Sequence, residues 1–80
     1  MRLPRDISGM ELTHRLSRLG YRITRTTGSH QRLTTMLQGE HHVTVPLHSP
    51  LRMGTLAAIL NEVSQHFDMS RQDLQEQLFD

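Results

Sequence analysis

The apolar pattern changes period at Gly20, and that switch constrains the fold more than any other feature of the sequence. Before it, Leu12, Leu16 and Leu19 recur at the spacing of a helix face. After it, Tyr21 and Ile23 alternate with Arg22 and Thr24, the period of a strand. A glycine at the junction suits a helix stop, because it enters the left-handed conformation with no Cβ penalty. At the other end, Ser8-Gly9-Met10-Glu11 has the S-x-x-E form of a capping box, with Ser8 capping and Glu11 reaching back to its amide. Ile7 and Leu12 occupy the positions of a hydrophobic staple. The pattern predicts a first helix over about 9–19, followed at once by a strand.

Two more strands follow. Thr27-Gly28-Ser29 reads as a turn, and His30 to Leu37 as a strand with Leu33 and Leu37 inward and His30, Arg32, Thr34 and Met36 outward. Gln38-Gly39-Glu40 is the next turn. From His41 to Leu47, residues Val43, Val45 and Leu47 share the inner face, with His42, Thr44, Pro46 and His48 opposite. Pro46 marks an edge strand or a strand end, since it has no N–H for the ladder. Gly54-Thr55 opens a second helix carrying Leu56, Ile59, Leu60 and Val63, and Ser70-Arg71-Gln72-Asp73 opens a third carrying Leu74, Leu78 and Phe79. The order α-β-β-β-α-α predicts a small two-layer α+β domain, a three-stranded antiparallel sheet with helices on one face. Residues 1–6 read as a flexible leader and residues 7–80 as one domain. The uncovered sheet face carries the arginines and histidines.

Several functions are excluded by what the chain lacks. With no cysteine there is no disulfide, no thiolate zinc site and no cysteine nucleophile, and a reducing cytoplasm is the expected location. Leu56 to Leu60 is the longest apolar run, far short of the ~20 residues that span a bilayer. At 80 residues there is no room for a cleft between two lobes. Charge is unevenly placed. Residues 1–60 hold eight arginines against three carboxylates, a balance of +5, while residues 61–80 hold Arg71 against five, a balance of −4. There is no lysine. Arginine's planar fork binds phosphate bidentately and stacks on bases, so the choice fits a nucleic-acid partner.

Six histidines stand in this short chain. His14 and His66 read as plain solvent-exposed side chains, while His30, His41, His42 and His48 lie in or beside one hairpin. Directly opposed antiparallel residues share a face, which limits the register. A loop centred on Gly39 sets Leu37 opposite His41, Leu33 opposite Val45 and His30 opposite His48. Centred one residue later, it sets His48 opposite Arg32. Either register brings His48 near the start of the second strand. Two imidazoles beside arginines suit RNA cleavage by the neighbouring 2′-OH. Histidine can take the 2′ proton or give one to the departing 5′ oxygen, and arginine balances the charge developing on phosphorus. DNA, with no 2′-OH, would resist. A zinc site on His41, His42 and His48 is disfavoured because neighbouring strand residues point to opposite faces. Ser29-His30 lacks the nearby acid that a hydrolase triad needs.

These residues resemble the HicA-type toxins, small mRNA interferases of bacterial toxin–antitoxin pairs. The resemblance rests on Ser8-Gly9-Met10-Glu11-Leu12 with Leu19-Gly20-Tyr21, on Arg25-Thr26-Thr27-Gly28-Ser29-His30, on Val43-Thr44-Val45-Pro46-Leu47-His48 and on Gly54-Thr55-Leu56-Ala57-Ala58-Ile59-Leu60. It spans residues 7 to about 79 and implies a fold like that of double-stranded-RNA-binding domains. It implies that the histidine of the G-S-H signature, His30, is catalytic, with His48 the candidate for the second proton transfer. It also implies a HicB-type antitoxin partner and mRNA as substrate, while the 2′-OH chemistry itself calls for neither metal nor small-molecule cofactor. Arg22, Arg25, Gly28, Ser29 and Arg32 are the candidates for holding RNA. The chain departs from its relatives in Gln31 after the signature, in the absence of lysine and in the acidic C-terminal segment. A module of the same fold that only binds RNA or antitoxin is the alternative, and it would tolerate loss of His30.

Overall fold

The computed structural model describes residues 3–79. In chain order these are helix α1 (Gly9–Leu16) with a 3-10 turn over Ser17–Leu19, strands β1 (Arg22–Thr27), β2 (His30–Thr35) and β3 (His41–Pro46), and helices α2 (Met53–His66) and α3 (Arg71–Phe79). The strands form one antiparallel sheet in the order β1-β2-β3. This is the predicted two-layer α+β domain. Of the leader expected over residues 1–6, Met1 and Arg2 lie outside the described residues, and Leu3 packs against the core.

The first helix starts as the sequence predicts, with one change. The Glu11 amide donates to Ser8 Oγ at 3.0 Å, but the Glu11 carboxylate turns forward to Arg15 at 3.3 Å. An i,i+4 charge pair thus replaces the return arm of the capping box. Gly20 ends the segment at φ 82°, and a Cβ there would meet Leu37 Cδ1 and Thr35 Oγ1 at 2.8 Å.

The hairpin register differs from both expected forms. Leu33 faces Val43, and His30 faces Pro46. The chain leaves the ladder at Thr35 because Gln38 (φ 57°) and Gly39 (φ 102°) both turn left-handed. Leu37, expected inward, is therefore 53% exposed, and Thr35 takes the buried position, its Oγ1 donating to Leu19 O at 2.8 Å. The shift is two residues from the first expected register and four from the second, both even, so the faces of β2 and β3 stay as predicted.

The first strand hides a further irregularity. Ile23 pairs with Leu33 but Arg25 pairs with Arg32, so Thr24 is an extra residue, a β-bulge. Thr24 Oγ1 donates to Arg32 O at 3.3 Å and meets Thr34 Oγ1 at 2.9 Å. Simple alternation would set Arg25 on the face of Ile23. The bulge resets the phase and brings Arg22, Arg25 and Thr27 to one face. Tyr21 precedes the strand and is buried, whereas Ile23 is 51% exposed in a hollow lined by Met10, Thr13 and His14 of α1.

Between sheet and helices lies the core, with Leu12, Leu16, Leu33, Val45, Leu56, Leu60, Val63, Leu74 and Leu78 all fully buried. Ser70 Oγ caps α3 by accepting from the Asp73 amide at 3.0 Å. At its far end Arg15 Nη1 donates to Leu78 O at 2.7 Å and Arg18 Nη1 to Gln77 O at 2.9 Å. Cations at a helix C-terminus favour its dipole, so these two arginines fasten α1 to α3.

Candidate functional site

The open face of the sheet is built around the β1–β2 turn. Thr27 pairs with His30, leaving Gly28 and Ser29 as a two-residue loop. Gly28 has φ 54°, and a positive φ at the first central position is what a type II′ hairpin turn requires. A Cβ at Gly28 would meet nothing within 4 Å, so conformation rather than crowding calls for glycine. Ser29 O accepts from the Leu47 amide at 2.6 Å, which extends the β2–β3 ladder one pair beyond Pro46. His48 O then accepts from the Gly9 amide at 2.9 Å. The approach there is close, since a Cβ on Gly9 would lie 1.9 Å from Pro46 O.

These contacts set His48 beside His30. The two rings are 6.4 Å apart between centroids and inclined at 67°. They are diagonal neighbours, not the opposed pair that the Gly39-centred register expects, and both are exposed. A shallow cavity of about 220 Å³ adjoins His30, lined by Arg25, Thr27, Arg32 and Thr44. Arg25 and Arg32 are directly opposed. Like charges across a ladder repel, and an anion between them would relieve the repulsion. Among the described residues, neither they nor Arg22 forms an ion pair. Arg22, opposite Thr34, lies further along the same face. The structure thus gathers His30, His48, Arg25, Arg32 and the Gly28-Ser29 turn at one end of the open face, with Arg22 at the other.

Sequence reasoning missed three contributors. Thr44, opposite Arg32, completes the cavity beside His30. His42 Nδ1 meets Thr34 Oγ1 at 2.7 Å and its Nε2 meets the Glu40 carboxylate at 2.7 Å, so both ring nitrogens are engaged. Alternation had already set Thr34, His42 and Thr44 on the open face, and that was the signal available.

The remaining histidines form a different cluster. The Tyr21 hydroxyl lies 2.7 Å from His41 Nδ1, and the His41 ring stacks on His66 at 4.4 Å and 11°. His66 is half-buried and its Nε2–H donates to Leu37 O at 2.9 Å, so it is not the free solvent-exposed side chain expected. Burial lowers the His41 pKa, helped by the nearby His66 and His42 and opposed by Glu62. Burial, with the Glu62 charge, raises that of Tyr21. Among the described residues, no group of three or more His, Asp or Glu side chains is placed to hold a metal ion. No helix there is long and apolar enough to cross a membrane.

No curated protein and no solved structure matches the chain. The family model for the HicA toxin of bacterial toxin–antitoxin systems matches residues 9–64, from the first residue of α1 into the last turns of α2. That stretch holds the whole sheet, the Gly28-Ser29-His30 turn and His48, so the chain belongs to the HicA toxin family and is the toxin of a toxin–antitoxin pair.

Proposed function

We propose that this toxin is an endoribonuclease that cuts mRNA in the cytoplasm through the 2′-OH, with His30 and His48 as its acid–base pair. The observation that carries this reading is the pairing of two exposed imidazoles, 6.4 Å between centroids, with the unneutralised Arg25–Arg32 pair. A phosphodiester seated in the cavity beside His30 would lie between proton-transfer groups and fixed cations. One imidazole takes the proton from the 2′ oxygen as it bonds to phosphorus. The other gives a proton to the 5′ oxygen as the P–O5′ bond breaks, leaving a 2′,3′-cyclic phosphate. Arg25 and Arg32 balance the charge on the non-bridging oxygens. Gly28 and Ser29 offer backbone and hydroxyl donors at the rim, and Arg22 holds a phosphate further along. Every step uses side chains of the chain itself, so no metal is needed. A HicB-type antitoxin that covers the open face would silence the reaction.

The test is incubation of the protein and its His30→Ala variant with single-stranded RNA and the matching DNA in EDTA. We expect the RNA alone to be cut and the variant to lose ~100-fold or more of the rate, the usual contribution of a positioned acid or base. Intact RNA, or a fully active variant, would overturn the reading in favour of a binding module.

A further inference from the structure

We propose that the groove between the free edge of β3 and α2 is a nucleobase pocket that holds a guanine of the bound RNA. The proposal rests on the ribonuclease reading above and supplies its sequence preference. The groove has a volume of about 560 Å³ and is lined by His42, Thr44, Pro46, Gly54, Ala58 and Glu62 among others. From α2 it takes Gly54, Thr55, Ala58, Ile59 and Glu62. A Cβ on Gly54 would meet nothing within 4 Å. Thr44 also lines the cavity beside His30, so the two sites share a wall. A phosphate held by Arg25 and Arg32 would leave its nucleoside next to the groove.

Three groups there suit a base. The first is the strand edge. Leu47 N–H bonds Ser29 O, so in the alternating antiparallel pattern Val45 and Val43 turn their backbone groups to β2, while Thr44 and His42 turn theirs outward. β3 is an edge strand, so those donors and acceptors face the groove. The second is the His42 ring. Thr34 and Glu40 fix it at both nitrogens, which leaves its face as a stacking surface. The third is Glu62, which makes no hydrogen bond or ion pair among the described residues. A carboxylate only accepts. Guanine sets N1–H and the N2 amine side by side, so one carboxylate can take both. Adenine and cytosine place an acceptor next to their amine, and uracil flanks a single N–H with two carbonyls. An extended protein strand could pair with the same edge. The shared wall with the phosphate cavity and the unpaired carboxylate favour the base.

The test uses the non-cleaving His30→Ala chain, ¹⁵N-labelled, with four short RNAs that differ at one position, G, A, C or U. We expect the guanine RNA to bind about 10-fold or more tightly than the uracil RNA, the discrimination of a good bidentate pair. Only the guanine RNA should shift the amides of Gly54 and Ala58, which line the groove and not the phosphate cavity. Glu62→Gln, and Ala58→Leu, which fills the groove, should bring that ratio to about one. Both positions are exposed on α2, so these variants retain the fold. RNA bound with equal affinity whatever the base would overturn the pocket and leave the ribonuclease reading standing. Groove amides that move only when the antitoxin is added would assign the groove to a protein strand and overturn it also. No RNA binding at all would overturn the ribonuclease reading, and the pocket with it.

Discussion

The six imidazoles show how far a single side chain's role depends on what it touches. Among the described residues, the rings of His30 and His48 meet each other and take no hydrogen bond, whereas His41 lies among Tyr21, His66, Glu62 and His42. The Tyr21 hydroxyl and His41 Nδ1 are hydrogen-bonded at 2.7 Å, and burial with the Glu62 charge keeps the hydroxyl protonated. With its folded pKa below the unfolded 6.5, His41 binds a proton more readily in the unfolded chain. Its contribution to stability is complete above 6.5 and is lost as pH falls through the folded value. His41→Gln keeps an acceptor for Tyr21 and removes the titration. Thermal melts at ~pH 7.5 and ~pH 5.5 should show a smaller acid-induced loss in the variant than in the parent. An equal loss in both would place the acid sensitivity elsewhere. Legibility at this scale was uneven. The G-S-H signature pointed to His30, and the strand end to His48. The role of His66 was hidden, because its partners Leu37 and His41 come from the distant hairpin.

At the scale of elements, the most demanding contact is the start of α1 against the end of β3. Gly9→Ala would force its Cβ onto the Pro46 carbonyl, and it would loosen the strap that carries His48. We expect the substitution to cost ~1–3 kcal/mol in chemical denaturation, as overpacking does, and to lower RNA cleavage more than a loss of that size explains. Unchanged stability would show that the strap yields. Element order, types and most boundaries were legible, because helix and strand periods alternate cleanly between Gly and Pro. Two things were not. The bulge at Thr24 leaves no mark in a strand whose residues are all exposed, so the phase of Arg25 could not be read. The hairpin register depended on the left-handed turn at Gln38-Gly39, where the alternation alone allows shifts of two.

Over the whole molecule, charge is sorted by use. Arg15 and Arg18 are occupied at the end of α3, and Arg22, Arg25 and Arg32 on the open face form no ion pair among the described residues. Three phosphate contacts on single-stranded RNA give a slope of about −2 for log K against log salt. Anisotropy titrations of the His30→Ala chain between ~50 and ~200 mM salt should show it, with each Arg→Ala on that face removing about 0.7. A flat dependence would exclude the arginine face as the RNA contact. The family match ends at Ser64, yet Leu74 and Leu78 beyond it are fully buried, and α3 is fastened to α1 by arginines about sixty positions earlier. In hereditary terms the stretches that encode α1 and α3 are bound to drift together. A lineage that lost both Arg15 and Arg18 would leave the Gln77 and Leu78 carbonyls without these donors, and one that lost α3 would leave Arg18 without its two acceptors while Arg15 kept Glu11.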